Sequence, residues 1–487
     1  MKQKSIKVNF IMNAILTMSS VIFPLITFPY VSRALQPAGI GKVNFAISVV
    51  SYFTMFAKLG IPTYGIRACT QVRDNKKELS KVVQELLWIS IFMCTLSYLI
   101  FFLSLFFIPK LRKDYLLFII TGSSVLLNTI GVEWLYKGLE QYSYITVRSL
   151  IFKGIGIVAM IALVHRPADY IIYGGITVVA SYASYILNFM YLKKYVSLKH
   201  FCKLNFKRHM KPVLEFFAMS CATTIYTNLD TVMLSFMVGD KAVGYYSAAV
   251  KIKCVLVSVV TSLGTVLLPR ASYYIENNQK EEFLIIAKKA IHFVWIIAIP
   301  LMLYFILFAK EGIYFLSGVS FENSIVPMQV IMPTLLFIGI SNIMGIQMLI
   351  PLGNEKVVLH SEIVGALVDL IINIALIPKL GATGAAIGTV VAELFVCIVQ
   401  YFALKDMVFD MYKNLPYKSV LLASVIGVIG SLWIKSIGVG SFITLAISSV
   451  LFFGIYFIVL TFMKEKLVLE LEKQVLDKVL NRGMKHE

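Results

Sequence analysis

The chain has 487 residues, of which 59% are hydrophobic and only 15% charged, with a mean hydropathy of +0.82. A soluble domain of this length needs far more polar residues to cover its surface, which excludes a soluble enzyme or binding module. The net charge of +19 would point to nucleic acid in a soluble protein, but its placement along this chain points to a membrane surface instead.

Apolar runs of roughly 18–25 residues recur from end to end, the length that crosses a hydrocarbon core of about 30 Å as a helix. Their unbroken length argues against a barrel, whose strands would be short and alternating. The first span, 9–32, follows Lys2, Lys4 and Lys7 and contains Pro24 and Pro29. It reads as an uncleaved first helix, being longer than a signal peptide's core and lacking a small-x-small cleavage site. The second, 43–60, is followed by Arg67, Arg73, Lys76, Lys77 and Lys81. Spans three to six, at 83–108, 114–136, 144–164 and 171–192, lead into a basic cluster from Lys193 to Lys211. Spans seven to twelve fall at 213–236, 244–268, 289–309, 326–350, 357–378 and 382–404, and the last two at 417–436 and 441–463. The tail 464–487 alternates charges with Leu467, Leu471, Val475 and Val479, as an amphipathic helix on the inner leaflet would.

With a cytoplasmic N-terminus and about fourteen crossings, about 31 Lys and Arg lie in or beside cytoplasmic segments and about 10 outside. Both termini are therefore expected in the cytoplasm. One external cluster, Lys110, Arg112 and Lys113, runs against this bias. The longest polar stretches, near 61–82, 193–212 and 269–288, are read as cytoplasmic loops.

The two halves resemble each other at offsets of 203, 212, 213 and 214 residues. Gly41 and Ala46 match Gly244 and Ala249, Thr177 to Ala180 match Thr389 to Ala392, Ile161 to Leu163 match Ile374 to Leu376, and Asn128 and Gly131 match Asn342 and Gly345. An offset of six helices, an even number, implies parallel repeats about an axis along the membrane normal. The expected fold is all-α and polytopic: a six-helix bundle in 1–205, a second in 206–410, helices thirteen and fourteen in 411–463, and the tail. Gly154, Gly156, Gly381, Gly384 and Gly388 are candidates for close helix approach, and Pro24, Pro29, Pro300 and Pro333 for kinks.

Ionisable groups inside spans are costly and normally face a cavity or a partner. Arg33, Arg67, Lys153, Lys251 and Lys253 are the candidate cationic lining, since Arg and Lys suit phosphate oxygens. Lys58 and Arg148, near helix ends, are expected to snorkel to the interface. Asp230 lies about as deep as Lys251 and is expected to pair with Lys251 or Lys253. Asp369 and Glu393, in mid-span, are either a protonatable coupling site or a buried acid pair. Trp134, beside Glu133, reads as an interfacial anchor, and His292 and His360 as inert. No P-loop, Ser/His/Asp set, metal-ligand cluster or dinucleotide fingerprint occurs, so no cofactor, metal or catalytic residue is expected.

Several local sequences then align with a known family. Phe28 to Arg33 (FPYVSR), Gly39 to Phe45 (GIGKVNF) and Leu59 to Arg67 (LGIPTYGIR) resemble the N-terminal signature of bacterial polysaccharide biosynthesis flippases. These belong to the multidrug/oligosaccharidyl-lipid/polysaccharide exporter superfamily. Gly131 to Tyr136, Asn228 to Met233, Gly244 to Ala249 and Ile346 to Gly353 agree, and the resemblance covers most of 9–405. It implies a twelve-helix core plus two helices, alternating access, and an undecaprenyl-pyrophosphate-linked oligosaccharide as cargo, with Arg33 and Arg67 as headgroup candidates. The implied location is the bacterial cytoplasmic membrane, and the implied partners are membrane lipids and other polysaccharide biosynthesis proteins, not nucleic acid. Drug-exporting relatives often carry an acid in the first helix, and this first span has none. A cation-coupled drug exporter of the same fold is the nearest alternative. A membrane-embedded polymerase or ligase would need a sizeable external loop, which is absent from this sequence.

Overall fold

A computed structural model describes residues 6–197, 204–413, 415–470 and 472–473. Lys2, Lys4, Lys199, Lys203 and most of the 464–487 tail lie outside the described residues. Among those described there is no strand; the chain is helical nearly throughout. Among the described residues, eleven helices are each long and apolar enough to cross a membrane, and a twelfth crossing arises if the segments Val319–Ile331 and Thr334–Leu349, bent by 46° at a break, count as one span. The protein is a multi-pass membrane protein. Its many exposed large apolar side chains, Phe92, Phe107, Val158 and Phe462 among them, are the surface that acyl chains cover.

The chain forms two compact units, 1–247 and 248–487. In the first, α1 (Ile6–Lys58) contains both of the first two expected spans. Pro24 and Pro29 leave it helical; the break comes at Gln36, in the left-handed region at φ 60° immediately before Pro37. Proline disfavours helical geometry in the residue before it and has no N–H to give back, so the kink belongs to that pair. Then follow α2 (Ile61–Gln71), α3 (Lys76–Phe107), α4 (Pro109–Lys113), α5 (Tyr115–Ile130), α6 (Glu133–Gly138), α7 (Tyr142–Leu163), α8 (Tyr170–Val178), a π segment (Val179–Ala183), α9 (Ser184–Tyr195) and α10 (Lys207–Met237). Residues 61–71, expected as loop, are helical because Ile61, Gly65, Ala68 and Cys69 recur on one face and bury it.

Helix α11 (Asp240–Val260) begins in the first unit and continues into the second. The second unit continues with α12 (Ser262–Glu276), α13 (Lys280–Leu307), α14 (Ala309–Ser317), α15 (Ile325–Ile331), α16 (Thr334–Ser341), a π segment (Asn342–Leu349), α17 (Glu355–Leu380), α18 (Ala382–Lys413), α19 (Tyr417–Leu432) and α20 (Ser441–Phe462). Of the glycines expected to allow close approach, Gly156, Gly384 and Gly388 do so, whereas Gly154 faces open space.

Polar pairs staple the ends of the first unit. Lys110, one of the residues that ran against the charge bias, pairs with Asp240 at 3.0 Å, and Lys42 pairs with Asp114 at 2.8 Å. Near the start of α10, the fully buried Glu85 accepts hydrogen bonds from Asn205 N at 2.6 Å and from Arg208 Nε at 2.9 Å, and lies 2.8 Å from His209 Nε2. His209 Nδ1 in turn meets the Tyr64 hydroxyl at 2.8 Å, which ties α2, α3 and α10 together. In the second unit His292, expected to be inert, faces Glu465 at 3.1 Å, and Lys289 pairs with Glu470 at 2.9 Å. These contacts, with buried Val468, dock the start of the tail on α13.

Candidate functional site

Four stretches of the first unit carry polar side chains at helical spacing. They are Ser51, Thr54 and Lys58 on α1, Thr121, Ser124 and Asn128 on α5, Thr177 and Ser181 on α8 and its π segment, and Ser220, Thr224 and Asn228 on α10. Intervals of three and four residues put each set on one face. All four faces line one cavity of about 470 Å³, completed by Met55, Pro62, Val178 and Tyr182. Helix α10 falls short of the apolarity of a lipid-facing span for this reason: its face is spent on the cavity. Along α1 the lining runs from Ile47 to Lys58, roughly 16 Å at 1.5 Å per residue.

The hydroxyls of the wall mostly donate to their own helix. Ser51 Oγ donates to Ser48 O at 2.7 Å, Thr54 Oγ1 to Val50 O at 2.9 Å, Thr177 Oγ1 to Tyr173 O at 2.9 Å and Ser220 Oγ to Phe216 O at 3.0 Å. Each proton is thus satisfied inside the helix, while oxygen lone pairs remain to accept from a guest. Lys58 is the one charged side chain of this lining. The wall therefore suits a guest rich in hydroxyl donors.

A smaller pocket of about 150 Å³ shares Lys58, Pro62 and Asn128 with the main cavity and adds Ser90, Thr129, Glu133, Trp134, Lys137 and Tyr185. Glu133 pairs with Lys137 at 2.8 Å and interacts electrostatically with the Tyr185 side chain. It is held at the α5–α6 break by Val132, whose φ of 37° lies in the left-handed region. For a β-branched residue that conformation costs about 1–3 kcal/mol, a strain typical of functional positions. Trp134 is buried, its ring packed where a Cβ at Gly65 would lie only 2.7 Å away, so it is no interfacial anchor.

Arg148 also departs from expectation. It does not snorkel: it is 4% exposed, its guanidinium 5.4 Å from the Tyr144 ring centroid and 5.7 Å from that of Tyr185. None of its three side-chain nitrogens finds a hydrogen-bond partner among the described residues.

The residues singled out from sequence are dispersed. Arg33 is exposed and donates to Pro29 O at 2.5 Å, and Arg67 is exposed on α2. Lys153 donates to the hydroxyls of Ser19 and Ser20 at 2.8 and 3.0 Å, joining α7 to α1. None of the three lines the 470 Å³ cavity. Lys251 and Lys253 are half-buried on α11. Asp230 is buried and accepts a hydrogen bond from the Tyr246 hydroxyl, a partner on α11 that depth alone did not identify. Asp369 and Glu393 are buried on α17 and α18, which pack along their length. A Cβ at Gly388 would lie 2.4 Å from Asn373 Oδ1 and 2.8 Å from Asp369 Oδ1, so this contact is closed.

The fold and cavity together define a helical membrane transporter. The family model described as polysaccharide biosynthesis protein matches residues 6–275, more than half the chain, and the chain belongs to that family. It is a transporter of the multidrug/oligosaccharidyl-lipid/polysaccharide exporter superfamily and not an enzyme. A MatE family model matches residues 216–375. Among similar proteins, a Shigella dysenteriae protein named "Putative O-antigen transporter" is 25% identical over 80% of this chain and 97% of its own length. A protein of the same name from Escherichia coli (strain K12) is 23% identical over 80% and 95%. The fold is shared with the lipid II flippase MurJ in its inward closed conformation, with a TM-score of 0.72 at 18% identity over 94% of this chain and 100% of that one. It is also shared with an inward-facing MATE family multidrug resistance transporter, with a TM-score of 0.61 at 14% identity over 83% and 99%.

Proposed function

We propose that the protein is a flippase that moves undecaprenyl-pyrophosphate-linked oligosaccharide repeat units from the inner to the outer leaflet of a bacterial cytoplasmic membrane. It works by alternating access of two six-helix halves, with both termini in the cytoplasm, and serves cell-surface polysaccharide synthesis. The observation that carries this reading is the lining of the 470 Å³ cavity: hydroxyls and amides on four helices, one lysine and no carboxylate. Oligosaccharide hydroxyls match such a wall, and the lysine matches a phosphate oxygen. A cationic drug would call for a carboxylate there. Membership of the polysaccharide biosynthesis family and the names of the relatives support the same cargo. Arg33, Arg67, Lys153, Lys251 and Lys253 then serve as cationic contacts along the route of the headgroup, outside that wall.

The test is removal of the protein from its host. Lipid-linked repeat units should accumulate on the inner leaflet while surface polysaccharide falls. Normal surface polysaccharide, with no accumulation, would reject the reading.

A further inference from the structure

The 150 Å³ side pocket gathers more charged groups than the cavity wall, whose one charged side chain is the shared Lys58. Lys58 and Lys137 line it, Arg148 stacks on its Tyr185, and the carboxylate in their midst is Glu133. Glu133 is in salt-bridge contact with Lys137 and within electrostatic reach of both Lys58 and Arg148. Two lysines against one acid in the lining, with buried Arg148 just outside it, leave positive charge uncompensated inside a helical bundle, where unpaired charge is costly. The Arg148 nitrogens, buried and without a hydrogen-bond partner among the described residues, sharpen that imbalance. The volume corresponds to about five waters, room for one or two phosphoryl groups. The pocket adjoins the main cavity, with which it shares Lys58, Pro62 and Asn128 as lining.

We propose that this side pocket is a binding site for a phosphate-class dianion and that Glu133 is its internal stand-in, holding the cations when no anion is bound and yielding Lys58 and Lys137 when one arrives. The Tyr185 side chain helps hold the carboxylate among the cations while the pocket is empty, and the left-handed Val132 fixes the backbone from which it swings. A carboxylate that competes with the guest keeps binding reversible, which a carrier that must release its cargo requires. The site rests on the flippase reading for its physiological ligand, the phosphate end of a lipid-linked sugar, but the same chemistry would also take a free phosphate anion.

The experiment titrates the full-length protein in phosphatidylcholine nanodiscs at low ionic strength, with radiolabelled inorganic pyrophosphate in one arm and farnesyl pyrophosphate in the other. Glu133→Gln should bind about tenfold more tightly than the unmodified protein, and Lys58→Met about tenfold more weakly. Tyr185→Phe keeps the ring beside Arg148 but loosens the carboxylate, and should tighten binding by about threefold. These shifts in the farnesyl arm alone support the site with a lipid headgroup as its ligand; equal shifts in both arms support it with a free anion. Unchanged affinity in both Glu133→Gln and Tyr185→Phe, or binding that survives Lys58→Met, overturns the proposal. If lipid-linked units accumulate in the deleted host while those affinities stay flat, the side pocket falls and the flippase reading stands. Shifted affinities without accumulation would do the reverse.

Discussion

Two regions of this molecule bury polar side chains, and they do so in opposite ways. In the first unit, α1, α5, α8 and α10 turn hydroxyl and amide faces toward an open cavity. In the second unit, α17 and α18 pack along their length around buried Ser361, Asp369, Asn373 and Gln400, with no room beside Gly388. Gln400 Nε2 there donates to Ser361 Oγ at 3.0 Å, and Gly388 takes the place where any side chain would strike Asn373. Membrane helices gain little from burying apolar groups against one another, so close packing and polar contacts must hold them. The hairpin uses its polar groups as glue, and the cavity wall keeps its own for a guest. The difference lies in the space left beside each residue, since the residue types are nearly the same.

The sharpest way to break this comparison is to fill the closed region. Gly388→Leu would drive a side chain into Asn373 and Asp369, and should destabilise the protein by about 1–3 kcal/mol or more, seen as lower yield and an earlier thermal midpoint. Gly154→Leu, where no atom lies within 4 Å, should change stability by no more than about 0.5 kcal/mol. Equal losses in both variants would mean the α17–α18 contact is looser than described.

The open region should fail differently, in transport and not in folding. Lys58→Met removes the one charge of the cavity wall. Charge-assisted hydrogen bonds contribute about 1.5–3 kcal/mol, so export should drop roughly 10- to 100-fold with the protein still inserted at its usual level. Arg67→Ala and Lys251→Ala, at exposed or half-buried positions outside the wall, should lower surface polysaccharide by a smaller factor of about two to five, as expected for charges that steer and do not seat the cargo. Unchanged export in both would remove them from the route.

Much of this contrast was legible in the sequence, and the missing part has a physical cause. Length and hydropathy located the helices because crossing lipid imposes a minimum run of apolar residues. Reading charge alone then directed attention to Arg33, Arg67 and Lys153, which line no part of the cavity, and away from Lys58 and Arg148, whose nearness to helix ends suggested snorkelling. A helix end in sequence is not a membrane surface in space when α2 and α6 pack over it, as they do here beside Trp134 and Gly65. The signal that would have found the site was present: Ser51, Thr54 and Lys58, and again Ser220, Thr224 and Asn228, mark one face of a span. Hydroxyls draw less notice than charges because each can satisfy itself on its own helix. Whether such a stripe meets space or another helix depends on partners far away in the chain, which periodicity does not encode.

The smallest effect gives the cleanest comparison, because it uses the same chemical change twice. Thr54 and Thr389 each donate their hydroxyl to the carbonyl four residues back, at 2.9 and 3.0 Å. Valine replaces either with nearly the same shape, so the local helix loses one self-satisfied hydroxyl in both cases. Thr54 lines the cavity, where its free lone pairs face a guest; Thr389 is buried in the second unit, on the helix face that carries Ala385, Ala392 and Glu393. Thr54→Val should therefore weaken transport by about two- to fivefold, corresponding to a net hydrogen bond of about 0.5–1 kcal/mol, with its thermal midpoint unmoved. Thr389→Val should leave transport within experimental scatter and shift only the midpoint, by a few degrees at most. Measured side by side as initial export rates in reconstituted vesicles and as melting curves, the two variants should cross over. Parallel behaviour would mean that the wall around Thr54 is packing surface like the other, and that the cargo travels elsewhere.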